Sequence, residues 1–194
     1  MGKIVVINHV TLDGVMQAPG AAKEDTRDSF EHGGWAVPNN DEVMGRVLGE
    51  GIGAGGPLLF GRRTYEQFHG YWPQQSDNPF TEVLNKTRKY VASTTLSEPL
   101  PWENSVLLEG DLATAVGEIK RDSEADIGIL GSRELIHSLR EHDLIDSYLL
   151  MTHAVLLGSG RRLFDHGVPP ADLRLADSVT TTKGVVIATY ERAR

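Results

Sequence analysis

The chain has 194 residues, with 40% hydrophobic and 24% charged residues, no cysteine and a formal net charge of −8. These values are typical of one globular domain with a well-filled core, so we expect a single domain over residues 1–194. An acidic chain without blocks of like charge is not expected to bind nucleic acid, and the lack of cysteine excludes disulfides, thiol nucleophiles and cysteine-based zinc sites.

The N-terminus leads directly into a predicted first strand at residues 3–10, which is followed by the turn signal Asp13-Gly14. It lacks the long apolar segment and the small-residue cleavage site of a signal peptide. No apolar run of the chain is long enough to span a bilayer. We therefore expect a cytoplasmic protein that has no membrane partner.

A long polar stretch at residues 17–40 follows the turn, and loops of this length inside a domain are usually functional or mobile. Asn39 or Asn40 is the predicted cap of a helix from Asp41 to about Gly49. Residues 51–56 match the pattern G-x-G-x-x-G by letter. They follow a helix and precede a strand, which is the reverse of a dinucleotide fingerprint, so we interpret them as a linker.

The most informative stretch is residues 58–68, where an apolar run typical of a buried strand ends at Gly61 and a helix begins. Such a junction exposes unpaired N–H groups at the positive end of the helix dipole, where phosphate binds well. Arg62 and Arg63 add charge and bidentate geometry, and Thr64 adds a hydroxyl. The alternative is an ordinary strand–helix turn whose arginines are solvated.

The middle of the chain alternates predicted strands and helices. A short helix at residues 80–84 precedes a strand at 89–93 that ends in hydroxyl side chains, and a short strand follows at 104–108. Ser93, Thr94 and Thr95 are candidate cofactor contacts, although simple capping of the strand end explains them equally well.

A helix capped by Asp111 extends to about Arg121. The strand at 126–130 then breaks at Gly131-Ser132 into a helix that turns Leu135, Ile136 and Leu139 inward, and this is a second strand–glycine–helix junction. Two such junctions in one domain predict a site for a molecule with several phosphates.

The C-terminal part is rich in predicted strands. A β-rich run at 145–157 is followed by Gly158-Ser159-Gly160, which we interpret as a turn because it matches neither a P-loop nor a nucleophile elbow. Strands at 173–182 and 185–191 form a terminal hairpin. The histidines do not cluster at metal-binding spacing, so we expect no metal, and we interpret His153 as a structural histidine.

Together these segments resemble the dihydrofolate reductase-like family, which includes the reductase domain of the bifunctional deaminase-reductase of bacterial riboflavin biosynthesis. The resemblance covers nearly the whole chain, here as a stand-alone domain. The order and the spacing of the matching segments, rather than any single segment, are typical of the family. The segments are 11–14, 59–66, 71–73, 131–132, 144–146 and 155–164.

The resemblance implies an α/β, three-layer fold around a mostly parallel central sheet with an antiparallel C-terminal hairpin, and it implies NADPH as the hydride donor. Gly61, Arg62, Arg63 and Thr64 fall where the family holds the 2′-phosphate and the pyrophosphate side of the cofactor. The remaining positions implied are Ser93, Thr94 and Thr95 near the adenosine, and Gly131, Ser132 and Arg133 near the pyrophosphate. Many relatives carry glycine where this chain has Ser132.

On the substrate side, the resemblance points to Asp41, or to its neighbour Glu42, as a carboxylate that orients the substrate, and to Asp13 as a substrate contact. The alternatives are that Asp41 is a helix-end acid and Asp13 a turn residue. Trp35 and Trp72 are candidate walls for a flat heterocycle, although most tryptophans belong to the core.

The sequence thus predicts an enzyme, an NADPH-dependent reductase of a small pterin-like or pyrimidine-like substrate. A second hypothesis is a non-catalytic NADPH-binding protein that keeps the fold and the nucleotide site, and a third is a homodimeric structural module without nucleotide. Relatives pair through their C-terminal strands, so we expect a homodimer.

Overall fold

The computed structural model describes residues 1–53, 55–76, 78–165, 167 and 169–193. By its internal contacts the chain divides into two compact units: the first comprises residues 1–6 and 48–146, and the second comprises residues 7–47 and 147–194. The expectation of a single domain stays a prediction. Within the described ranges, no helix has the length and apolar composition that crossing a bilayer requires.

Strands and helices alternate along most of the chain. The strands are β1 (Ile4–Thr11), β2 (Leu58–Gly61), β3 (Lys89–Ala92), β4 (Ser105–Leu107), β5 (Ile127–Leu130), β6 (Ser147–His153), β7 (Leu173–Thr180) and β8 (Val186–Arg192). The α-helices are α1 (Glu42–Gly53), α2 (Arg62–Tyr71), α3 (Pro79–Lys86), α4 (Leu112–Asp122) and α5 (Arg133–Glu141). Short 3-10 turns occupy Arg27–Ser29, Val37–Asn39 and Trp72–Gln74.

The sheet of the first unit is parallel. β2 lies between β3 and β5 and runs parallel to both, β4 extends the sheet beyond β3, and the first residues of β1 border β5. Leu58, Leu59 and Phe60 are each no more than 3% exposed. A continuous apolar run is typical of a parallel strand whose two faces are both covered, which explains why β2 was predictable.

The helices of the first unit begin where the sequence predicts. The Asp111 carboxylate accepts a hydrogen bond of 2.9 Å from the Thr114 N–H, and α4 starts at the next residue after Asp111. In α5, Leu135, Ile136 and Leu139 are all buried, which confirms the predicted apolar stripe.

The second unit contains the antiparallel part of the sheet. β8 pairs with β6 and with β7, both antiparallel, and the later residues of β1 border β6. The predicted α/β fold, a mostly parallel sheet with an antiparallel C-terminal hairpin, is therefore confirmed. β7 is the last strand in the order, and nearly every residue of it is exposed.

Helix α1 differs from its prediction at both ends. Neither Asn39 nor Asn40 caps it, because the Asp41 carboxylate accepts a 2.9 Å hydrogen bond from the Met44 N–H and fills the cap position. The helix also extends to Gly53, so the predicted linker at 51–56 is wrong for its first three residues. Glycine disfavours a helix by only about 1 kcal/mol, which does not end one. Ala54 lies outside the described residues.

The first unit contains a buried lysine that donates hydrogen bonds to backbone carbonyl oxygens. The sequence pattern did not predict its burial. Lys89 at the start of β3 is 0% exposed. Its Nζ donates to the carbonyl oxygens of Leu84 (2.7 Å), Asn85 (3.1 Å) and Thr87 (2.7 Å), and lies 4.5 Å from the centre of the Trp102 ring. Burial lowers the pKa of Lys89 to about 8. The ammonium therefore closes the C-terminal end of α3, whose last carbonyls lack helical donors.

Replacing this lysine tests its structural role. In Lys89→Met, buried carbonyl oxygens lose their donor, so we expect the free energy of unfolding at pH 7 to fall by about 2–4 kcal/mol in urea denaturation. The matched control is Lys86→Met, at the last residue of α3, which breaks only an exposed ion pair with Glu82. Equal effects of the two substitutions would contradict the role given to Lys89.

Candidate functional site

Three strands of the first unit end side by side. β3, β2 and β5 are parallel neighbours, so their carboxyl ends share one edge of the sheet, where α/β proteins commonly bind ligands. Gly61 pairs with Ala92 in register, which places the residues after β3 beside the β2 junction. We call the residues that follow these strands the strand-end site. Its members are Gly61, Arg62, Arg63, Thr64, Ser93, Thr94, Thr95, Gly131, Ser132 and Arg133.

A hydrogen bond joins the two predicted glycine junctions. The Gly61 N–H donates to the Ser132 hydroxyl over 2.9 Å. The Ser132 hydroxyl is therefore directed at β2, and neither α2 nor α5 has a side chain that caps its N-terminus. Both helix N-termini therefore lack a side-chain cap from their N-cap residues, Gly61 and Ser132, and the positive potential of such an end is suited to an anion.

The α5 junction has a backbone that only glycine adopts readily. Gly131 has φ of +64°, and a Cβ added there would lie 3.2 Å from the Thr64 Cγ2. Ser132 has φ of 64° and ψ of 54°, in the left-handed region that side chains disfavour. Ser132 thus adopts a conformation that glycine takes more readily, and its hydroxyl accepts a hydrogen bond from β2.

The arginines of the strand-end site differ in their partners. Arg62 lies 3.2 Å from Glu66 in an ion pair that is largely exposed, so this contact holds the side chain weakly. Arg63 is exposed and makes no hydrogen bond or ion pair with the described residues. Arg133 pairs with Glu134. Two guanidinium groups beside the uncapped α2 N-terminus can therefore turn toward an anionic ligand.

The hydroxyls after β3 divide into one structural group and two exposed groups. The Ser93 hydroxyl accepts hydrogen bonds from the N–H groups of Thr95 (3.1 Å) and Leu96 (3.0 Å). This is the strand-end cap that the sequence left open as an alternative. Thr94 and Thr95 are exposed. Binding of a cofactor by any member of the strand-end site stays a prediction.

Asp13, in the second unit, is held by its neighbours. Its carboxylate accepts hydrogen bonds from the Thr11 hydroxyl (2.5 Å) and from the N–H groups of Leu157 (3.3 Å) and Gly158 (2.8 Å). The Thr11 hydrogen bond is the main reason that the pKa of Asp13 lies below its usual range. These hydrogen bonds connect the turn after β1 with the loop after β6. They agree with the alternative interpretation of Asp13 as a residue that stabilises the turn.

Asp41, also in the second unit, has both carboxylate oxygens occupied. One caps α1 through Met44, and the other accepts from the N–H and the hydroxyl of Thr182 at 2.7 Å each. The Met44 N–H, followed by the Thr182 contacts, lowers the pKa of Asp41 to about 2. This geometry agrees with the alternative interpretation of Asp41 as an acid at the N-terminal end of α1. The same carboxylate also binds Thr182 in the turn between β7 and β8. A substrate role for Asp41 or Asp13 stays a prediction.

Both tryptophans considered as pocket walls pack against protein. Trp72 lies against the rings of Phe68 and Phe80 in the first unit. Trp35, in the second unit, donates from its indole nitrogen to the Gln17 carbonyl over 2.7 Å and meets the His153 ring edge-on. Trp35 belongs to a small buried cluster with Ala18, Phe30 and Ala36 of the predicted long loop and with Val15, which precedes that loop.

Sequence analysis missed a pair of histidines in the second unit. The Nδ1 of His9, on β1, lies 2.9 Å from the Nε2 of His153, at the end of β6. His153 is 0% exposed, which agrees with its interpretation as a structural histidine. The two positions are 144 residues apart, and no local spacing connects them. Only the pairing of the strands could have identified His9.

Comparisons with known proteins identify similar chains and folds. The family model of the RibD C-terminal domain matches residues 2–187. The chain is 28% identical over 138 residues to YyaP, an uncharacterized protein of Bacillus subtilis strain 168, and the match covers 69% of this chain and 72% of that protein.

Two crystal structures share the fold. One is a putative riboflavin biosynthesis protein from Shewanella sp. PV-4, with a TM-score of 0.73, 22% identity and full coverage of both chains. The other is a pyrimidine reductase-like protein from Corynebacterium diphtheriae, with a TM-score of 0.68 and 13% identity, which covers 100% of this chain and 92% of that one. These similarities agree with the predicted fold.

The cap role of Asp41 makes a prediction about acid stability. Its pKa is about 2 in the folded protein and near 3.8 when unperturbed, so its stabilisation is complete above pH 4 and is lost as the pH falls from 3.8 to 2. We expect Asp41→Asn to remove this part of the acid dependence, measured as the urea midpoint at several pH values. Asp41→Ser, which keeps a cap, should stay more stable than Asp41→Ala at pH 7. Identical acid profiles for the wild type and Asp41→Asn would contradict the assignment.

Proposed function

The chain belongs to the RibD C-terminal domain family, and we propose that it is an NADPH-dependent reductase of a small planar heterocycle. The observation that carries this proposal is the hydrogen bond between Gly61 and Ser132, which brings two uncapped helix N-termini together. A ligand with several phosphates is the natural occupant of such a pair. A bound NADPH would supply the hydride, while the protein supplies binding and orientation.

The residues of the strand-end site fit this cofactor. The N-termini of α2 and α5 suit the pyrophosphate, and the absent Cβ of Gly131 lets its backbone lie close to Thr64, another member of the site. Arg62 and Arg63 suit a further phosphate because guanidinium groups bind phosphate oxygens in pairs. An additional phosphate on the adenosine ribose distinguishes NADPH from NADH, so these arginines support the choice of NADPH. Thr94 and Thr95 are available to the adenosine.

The substrate class is proposed from the relatives and from the loop of the second unit. Two structural neighbours are described as a putative riboflavin biosynthesis protein and a pyrimidine reductase-like protein. We therefore favour a pyrimidine of the riboflavin pathway, with a pterin as the second candidate. Residues 17–40, which carry their own buried cluster around Trp35, are the segment expected to shape the pocket.

One observation favours the second hypothesis, a protein that binds NADPH without turnover. The carboxylates of Asp13 and Asp41 already accept hydrogen bonds from backbone N–H groups and neighbouring hydroxyls. A carboxylate with such partners is a poor proton donor at neutral pH because its pKa is depressed. The two hypotheses differ in turnover with a pyrimidine or pterin, and they agree on cofactor binding.

Isothermal titration calorimetry with NADPH and NADH tests the cofactor site. We expect the wild type to prefer NADPH, because only NADPH carries the extra phosphate. In Arg62→Ala/Arg63→Ala, the affinity for NADPH should fall by about 10-fold to 100-fold while that for NADH changes little.

The matched control is Arg88→Ala/Arg121→Ala, which removes the same charge at exposed positions of the first unit that do not belong to the strand-end site. An equal loss in the control would indicate a general effect of net charge. If the wild type binds neither nucleotide, the proposed cofactor and the second hypothesis both fail, and a structural module without nucleotide is favoured.

We also propose that two copies of the chain pair through β7. This eight-residue strand is the last in the sheet order, and an unpaired edge of that length is a natural template for another strand. Leu173 and Leu175 on β7 are 38% and 52% exposed, and Val186 on β8 is 42% exposed. An edge that combines free backbone groups with exposed apolar side chains suits a second copy of itself.

Light scattering tests this pairing. At micromolar concentration we expect twice the mass of the chain for the wild type and a single mass for Leu175→Glu. Leu156→Glu places the same charge at a residue that is 73% exposed and lies outside β7, so it should remain a dimer. A single mass for the wild type would remove the proposal.

A further inference from the structure

The histidine pair, His9 and His153, lies beneath the loop that we expect to shape the substrate pocket. His153 is completely buried, and its Nε2 lies 2.9 Å from the Nδ1 of His9. From the loop, the Asn39 side-chain nitrogen lies 3.4 Å from the His153 Nδ1, and the Trp35 ring meets His153 edge-on. The pair therefore connects β1, β6 and both ends of the 35–39 segment of the loop.

The orientation of the Asn39 amide sets where each proton lies. With its nitrogen facing His153, Asn39 would donate to the His153 Nδ1, and the His153 proton would then lie on Nε2. That proton would be donated to the His9 Nδ1, which would leave the His9 proton on its Nε2. The chain Asn39–His153–His9 thus ends in an N–H group on His9.

Both rings stay neutral at physiological pH. Burial, and secondarily the charge of His153, lowers the pKa of His9 to about 4, and burial also lowers the pKa of His153. The groups that contact the pair from the loop, Asn39 and Trp35, carry no charge that would favour an imidazolium. A neutral imidazole held in one tautomer is a fixed hydrogen-bond donor that does not exchange charge with solvent.

The donor end of this chain is not used by the protein. The His9 Nε2 makes no hydrogen bond to any described residue, and His9 is partly exposed. By contrast, the two predicted carboxylates of the same unit, Asp13 and Asp41, have their oxygens occupied. We have considered Asp13, Asp41 and His9 as groups that could contact the substrate. Of these three, His9 is the one that is held in a fixed orientation and still has an atom available to a ligand.

We propose that the His9 Nε2–H donates a hydrogen bond to the substrate atom that becomes negative during reduction, and that His153 and Asn39 position it. Reduction of a C=O or C=N bond adds a hydride to the carbon and moves the electron pair of the double bond to the oxygen or nitrogen, which then takes a proton from water. A preorganised donor at that atom stabilises the developing charge. The inference rests on the proposed function and identifies a substrate-binding group for it.

The first test uses the protein alone. In long-range proton–nitrogen NMR spectra of the ¹⁵N-labelled wild type, we expect both rings as the Nε2–H tautomer at pH 8, and no titration of His9 between pH 8 and pH 5. A proton on the His9 Nδ1, or an imidazolium of His9 at pH 6, would overturn the proposed donor chain. This readout requires neither cofactor nor turnover.

The second test adds a probe. Lumazine, a flat heterocycle with two carbonyl groups, is titrated into the protein in the presence of NADP⁺. We expect the His9 Nε2 resonance to shift on binding, while that of His142, at the C-terminal end of α5, does not. Binding of lumazine, measured by calorimetry, without a shift at His9 would overturn the proposal.

The third test is kinetic and includes a rescue. His9→Phe keeps a ring but removes the donor, so kcat should fall about 100-fold or more with little change in NADPH affinity. His9→Gln restores an N–H donor and should recover part of kcat, and His142→Gln is the control. Unchanged kcat in His9→Phe overturns this inference alone, whereas failure of the wild type to bind NADPH overturns the proposed function. Circular dichroism shows whether each variant is folded.

Discussion

The hydrogen bond from the Gly61 N–H to the Ser132 hydroxyl constrains more of the first unit than one 2.9 Å contact suggests. It joins the ends of two parallel strands, and it uses the hydroxyl that would otherwise cap α5. Ser132 has a left-handed backbone at this contact, and a Cβ at Gly131 would crowd the Thr64 side chain. The result is two helix N-termini whose N-cap residues make no side-chain cap, an arrangement that favours the binding of an anion.

Much of this architecture was predictable because its causes are local. The apolar run at 58–60 and the glycine that ends it identify a buried strand and a helix start without knowledge of the rest of the chain. The cap of α1 was not predictable in this way, since Asp41 takes that position together with its contact to Thr182, far away in sequence. The same holds for His9 and His153, which are brought together by strand pairing across 144 residues.

The polar groups of the second unit divide into those that build the protein and those that remain available. Asp13 and Asp41 are acceptors for backbone N–H groups, and their low pKa values follow from these bonds. The histidine pair has the opposite character, because burial lowers the pKa values of both rings and the His9 Nε2 has no hydrogen-bond partner among the described residues. A carboxylate in a sequence motif is thus not sufficient evidence for catalysis, since the same residue type is also the preferred helix cap.

The loop at 17–40 is held near both of its ends by hydrogen bonds to residues far away in the sequence. At the first end, the Gln17 side-chain oxygen accepts from the Arg161 N–H over 3.0 Å, and at the other the Lys183 ammonium donates to the Pro38 carbonyl over 2.9 Å. The same anchors also hold the interior of the loop, because the Gln17 amide nitrogen donates to the carbonyl oxygens of Asp25 and Arg27, and the Arg161 guanidinium pairs with Asp28. Ends and interior are thus joined, so evolution can exchange this loop most simply as one whole segment, from residue 17 to residue 40. Such exchange offers a simple route by which domains of one fold acquire different substrates.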